Sequence, residues 1–194
     1  MPIGDLAAGA TYSLDVGSER LILTVPGDDW STIDTWFLGK DVLPPSDSYD
    51  MTLLLYIVGN TYIDPCNWES GAVDPPVGQT VEDLATALVK QAGPSAIAPT
   101  DVTLGGHRGK KVELSIPEDV DTSKCDEGNF GRWSPKGHPD QYGPFTYGNG
   151  QHDTVYIIDV GGTRWVIDTN YLPGTSAANL AELEQLVASI HFET

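Results

Sequence analysis

The sequence predicts an α+β domain, a mainly antiparallel sheet with helices packed on it. Three observations carry this reading. Apolar residues alternate at period two in several strand-length segments. Glycine pairs punctuate those segments as hairpin turns, and two stretches of helical periodicity follow strand-rich regions instead of alternating with single strands.

Near the start, Tyr12, Leu14 and Val16 alternate with Ser13 and Asp15, which is a half-buried strand. Gly17-Ser18 turns the chain into residues 21–25, and Pro26-Gly27 ends that second strand of a hairpin. Trp30 follows, then a short strand at Trp36-Phe37-Leu38 that runs into the Pro44-Pro45-Ser46-Asp47 loop. Residues 51–58 are apolar apart from Thr52, as expected of a strand covered on both faces at the centre of the sheet. Trp30, Trp36 and Trp165 are assigned to the main core.

The first helix opens at Thr80, which caps free amides with Asp83 in the capping-box position. Val81, Leu84, Ala85 and Leu88 form its apolar stripe, and Gly93-Pro94 stops it. Two more strand pairs follow. Residues 102–104 meet residues 111–116 across Gly105-Gly106-His107-Arg108-Gly109, and residues 155–160 meet 163–169 across Gly161-Gly162, which accepts a type I′ turn. A second helix begins at Ser176 with the stripe Leu180, Leu183, Val187 and Ile190, and His191-Phe192 leave it as a short terminal strand. No repeat or long linker divides the chain, so residues 1–194 read as one domain.

Charge limits the partners. Asp and Glu number 28 against 10 Lys and Arg, a formal net charge of −18, and there is no basic run. Nucleic acid and anionic membranes are excluded as partners of such a surface, whereas cationic ligands are admitted; acidity also serves solubility alone. No stretch has the length of a transmembrane helix, so no direct membrane insertion is expected. The opening Met1-Pro2-Ile3-Gly4-Asp5 is not a signal peptide, so export implies a leader or anchor absent from this segment.

Cys66 and Cys125 are the only cysteines, each in Asp/Asn/Gly-rich sequence beside an aromatic residue. A reactive thiol needs a basic neighbour, and Lys124 is the one such residue next to either. A Cys66–Cys125 disulfide is therefore expected. It would close a loop of about 60 residues, contribute up to about 4 kcal/mol on the chain-entropy account, and place the domain outside the cell or on its surface.

Residues 117–153 resist the scheme, being rich in glycine and aromatics without an apolar period. The disulfide would draw Trp68, Phe130, Trp133, Tyr142 and Tyr147 together. These five are the candidate ligand-binding residues, an aromatic patch with an acidic rim suited to a small molecule, carbohydrate, peptide or protein ligand. The competing reading is a small core that packs the segment onto the sheet. No cofactor or metal is expected. His138 and His152 with Asp140 and Asp153 lack zinc-ligand spacing; Glu118, Asp119, Asp121, Asp126 and Glu127 suit a hard cation but do not form an EF-hand. No catalytic residue is assigned. The alternative is a secreted hydrolase that uses His107 or a carboxylate pair, Asp64 with Glu69 or Asp159 with Asp168.

The Val25-Pro26-Gly27-Asp28-Asp29-Trp30 element after the first hairpin, together with the closing Ser189-Ile190-His191-Phe192, resembles the PsbP-like α/β/α sandwich of photosystem extrinsic subunits and bacterial lipoproteins. Asp64-Pro65-Cys66, Pro99-Thr100-Asp101-Val102-Thr103-Leu104-Gly105-Gly106, Cys125-Asp126-Glu127-Gly128, Asp159-Val160-Gly161-Gly162-Thr163-Arg164 and Pro173-Gly174-Thr175-Ser176 are similar to an uncharacterised exported domain of actinobacteria, usually anchored by a leader or a membrane span. That resemblance implies export and a disulfide and brings no catalytic residues.

Overall fold

A computed structural model describes residues 1–43, 48–92, 96–137 and 148–194. The 44–47 loop, the Gly93-Pro94 helix stop, His138, Asp140, Tyr142 and Tyr147 lie outside these residues. The strands are β1 Gly4–Asp5, β2 Thr11–Val16, β3 Glu19–Thr24, β4 Trp30–Asp34, β5 Phe37–Leu43, β6 Ser48–Tyr56, β7 Val58–Thr61, β8 Thr100–Leu104, β9 His107–Ser115, β10 Trp133–Pro135, β11 His152–Val160, β12 Thr163–Tyr171 and β13 His191–Glu193. The helices are α1 Val81–Ala92 and α2 Ala177–Ser189.

Eight strands form the main sheet in the order β1-β4-β5-β6-β12-β11-β9-β8, and every ladder in it is antiparallel. The expected central strand is there: β6 and β12 lie in the middle. Apolar side chains alternate to both faces, so two separate cores form. On one face Met51, Leu53, Ile158, Trp165 and Ile167 meet α2 and a three-stranded sheet of order β13-β3-β2. On the other face Val112, Leu114, Val155, Ile157 and Val166 meet α1, with β10 paired to β7 beside it.

Both helices are capped as the sequence requires. Asp83 N donates to Thr80 Oγ1 (3.1 Å) while Thr80 N donates to Asp83 Oδ2 (3.0 Å), and Ser176 caps α2 through Asn179 N. Leu84, Ala85 and Leu88 are buried, each large side chain contributing about 1.5–3 kcal/mol. Polar contacts fix the helices in place. Arg164, on β12, donates to the carbonyls of Gly78, Thr80 and Val58 and so ties the start of α1 to the sheet. Burial lowers its affinity for its proton, and the nearby Asp83 carboxylate opposes that shift. On the opposite face Glu182 of α2 accepts from Lys40 Nζ (2.9 Å) and Trp30 Nε1 (3.1 Å).

Four expectations need correction. Trp36 is not a core residue: it is 39% exposed and stacks on the buried Trp165 at 5.6 Å. The 105–109 connection is a two-residue turn, with Gly105 and Gly106 at φ 58° and 94°, so His107, Arg108 and Gly109 belong to β9. The 51–58 strand ends at Tyr56, and the chain leaves the main sheet as β7 to pair with β10. That pairing is close enough that a Cβ on Gly59 would lie 3.1 Å from Lys136 Cα, so any larger residue there would push the two strands apart by a few tenths of an ångström. Finally, β4 forms over Trp30–Asp34, where only an isolated tryptophan stood out.

Candidate functional site

The candidate site grows out of the disulfide. Cys66 and Cys125 are bonded, joining the segment after β7 to a pair of short helical turns between β9 and β10. The Asp64 carboxylate accepts from Cys66 N (2.9 Å), Asn67 N (3.3 Å) and Asn67 Nδ2 (2.7 Å), which shapes the turn that carries Cys66. Those bonds, led by the Asn67 side chain, hold the carboxyl below the usual carboxylate range. Main-chain bonds continue the seam: Asp126 N donates to Cys66 O (2.9 Å), Gly131 N to Pro65 O (2.8 Å) and Tyr62 N to Arg132 O (3.1 Å).

The described members of the aromatic set go to different surroundings. Trp133 is completely buried between α1 and the sheet, edge-on to Tyr56 at 5.7 Å, and forms part of the second core. Trp68 is buried beside Tyr62, with Nε1 donating to Asp126 O (3.2 Å). Phe130 is half-buried, with the Arg132 guanidinium 5.2 Å from its ring centroid. Of these three, Phe130 alone lines the cavity described next.

A cavity of about 640 Å³ opens beside the disulfide. Cys66, Phe130 and Arg132, Gln91 and Ile97 at and beyond the end of α1, Glu113, Leu114 and Ser115 of β9, and His152, the β11 residue opposite Ser115, line it. Its size falls in the ordinary range of ligand sites. Gln91 is held by bonds from Nε2 to Tyr62 O (2.8 Å) and Arg132 O (2.7 Å), while its buried Oε1 has no hydrogen-bond partner among the described residues. Ile97 is 60% exposed at the mouth. A second hollow of about 620 Å³ flanks the other side of α1 and shares Gln91.

Behind the cavity lies a buried polar cluster that the sequence reading missed. The register sets Thr52 opposite Asn170 and Asn170 opposite Asp153 in one row across β6, β12 and β11, with Asp168 two residues from Asn170 on the same face. Arg132 Nη2 reaches Ser115 O (2.9 Å) and Asp153 Oδ2 (3.5 Å), and Gln151 Nε2 donates to Asp153 Oδ1 (2.7 Å). Among the described residues neither carboxylate oxygen of the fully buried Asp168 has a partner, and neither does Asn170 Nδ2 or Thr52 Oγ1. Burial first, then the neighbouring Asp153, pushes the Asp168 carboxyl well above its ordinary range; Arg132 opposes this weakly.

The acid-base pairs considered from the sequence are not assembled. Asp159 pairs in register with Arg164 and binds the turn at Gly162 N (2.9 Å), whereas Asp168 faces Val155. Asp64 is taken up by its own turn. His107 places Nε2 3.0 Å from Glu19 Oε2 and Nδ1 3.0 Å from Asp159 O, with its ring edge-on to Phe192, and none of these contacts is to a serine. Nor do the acids of the 118–127 stretch converge: Asp121 binds Ser123 and Lys124, and Asp126 accepts from Glu69 N. Among the described residues no three His, Cys, Asp or Glu side chains form a group able to hold a metal ion, and no helix is long and apolar enough to cross a membrane.

No protein-family model matches the chain, and no curated protein matches it. Among solved structures, LpqN of Mycobacterium tuberculosis, described as involved in cell envelope biogenesis, aligns at 12% identity over 95% of this chain and 91% of its own, with a TM-score of 0.47. A protein of Bacteroides thetaiotaomicron aligns at 10% identity over 100% of this chain and 50% of its own, with a TM-score of 0.30. Likeness at this level assigns neither a fold family nor a function.

Proposed function

We propose that the protein is an extracytoplasmic binding domain of the exported actinobacterial type, with a PsbP-like outline, and that its ligand sits in the cavity beside the Cys66–Cys125 disulfide. The carrying observation is that cavity. It joins a half-buried aromatic ring and a buried guanidinium in a space of ligand size. The disulfide supports an oxidising compartment, because such bonds persist there.

The test is a panel of saccharides, amines and short peptides scored by thermal shift, since a ligand at 100 times its Kd stabilises the fold by about 2.7 kcal/mol. Compounds that stabilise the protein are expected to lose their effect on Ile97→Arg, which places a charge at the mouth without touching the core. Compounds that stabilise both forms equally bind elsewhere and remove the proposal.

A further inference from the structure

β9 has an open edge where it faces the cavity. The β8–β9 ladder runs from Leu104↔His107 to Thr100↔Lys111 and stops, so beyond Lys111 no described residue pairs with β9 on that side. The phase of the ladder tells which groups are free. The two-residue turn bonds His107, and by alternation Gly109 and Lys111, to β8. At the other end Ile116 N donates to Gln151 O (2.9 Å), so residues of that parity, Leu114 and Val112, bond β11. Glu113 and Ser115 therefore turn their main-chain groups outward, to the side on which β8 has ended. Ser115 O is taken by Arg132 Nη2 (2.9 Å), and by this parity Glu113 N–H, Glu113 C=O and Ser115 N–H face outward with no main-chain partner among the described residues. Both residues are exposed, and both line the cavity.

We infer that the ligand is an extended peptide, added as a strand to β9 in the space where β8 would have continued. This rests on the cavity being the ligand seat. An added strand satisfies a spaced donor-acceptor-donor row of this kind through its own main chain, and its side chains then alternate between two environments. A residue opposite Leu114 points toward the α1 side of the sheet, where Phe130 and Gln91 lie, and suits an apolar group. Residues opposite Glu113 and Ser115 point to the Glu113 side, where Lys111 Nζ already holds Glu113 Oε1 (2.7 Å), and the net charge of −18 over the chain attracts a basic peptide as a whole.

The experiment pans a random heptapeptide display library on the purified domain and follows synthetic copies of the selected peptides by amide hydrogen exchange. Bound peptide is expected to slow exchange at Glu113 and Ser115 by at least about tenfold. N-methylation of the peptide should abolish binding at alternate residues only. Ser115→Pro removes an outward N–H without breaking the β11 ladder and should weaken binding about tenfold; if that variant does not fold, the N-methyl series decides. Three results overturn strand addition: no selected peptide, selected peptides that leave the two amides unprotected, or indifference to N-methylation. The broader reading fails separately, when nothing in the thermal-shift panel depends on Ile97.

Discussion

Asp168 is the residue whose chemistry departs furthest from its surface appearance. In Val166-Ile167-Asp168-Thr169-Asn170 the alternate positions Asp168 and Asn170 look like the solvent face of a strand, and both are buried on the α1 face of the sheet. Alternation shows which residues share a face but not which face is covered, so the sequence could not reveal the buried row. Its folded-state proton affinity is raised, so its contribution to stability is fully present below the unfolded carboxylate range and is lost as pH rises through the folded value. Asp168→Asn should therefore be increasingly more stable than the parent as pH rises from about 4, by about 1.4 kcal/mol per pH unit through that window. Urea unfolding of both forms across pH checks this; parallel curves would contradict it. Trp133 and Phe130 carry a second contrast. Trp133→Ala should cost about 3–5 kcal/mol, as deletion of a buried aromatic does, and Phe130→Ala distinctly less, measured by the same denaturation.

At the level of elements, the glycine-paired hairpin β11–β12, both helix starts and the terminal β13 were legible, because each is written in local turn or cap chemistry. β4 was not, since its register shifts between Ser31 and Asp34 and Ile33 points outward, 60% exposed, so no period-two signal survives. β10 is too short to show any period and exists through its pairing with β7. Orientation of α1 depends on Arg164, which lies more than seventy residues away along the chain, and such tertiary anchoring leaves no local mark. Arg164→Met should cost about 1.5–3 kcal/mol, the range for hydrogen bonds to a charged group, and should speed amide exchange selectively in α1.

For the whole molecule, the cavity exists because two segments 59 residues apart in sequence are covalently joined and zipped by main-chain bonds. Reduction should lower stability by up to about 4 kcal/mol on the chain-entropy account and loosen the cavity wall before the β6–β12 centre of the sheet. Mass measurement before and after reductant, combined with exchange of the Cys66 and Cys125 segments, follows both effects. Of the candidate site, the disulfide was legible in the sequence and Phe130, one of the five residues named there, lines the cavity, while the end of the β8–β9 ladder left no local mark.

The most direct measurement is a two-dimensional amide NMR titration of the isotopically labelled domain with a ligand that raises its melting temperature. Shift changes gathered on Gln91, the 113–115 amides and the 130–132 segment are expected. Changes centred instead on α2 or on the Trp36 end of the sheet, with those amides still, would contradict the cavity as the ligand seat.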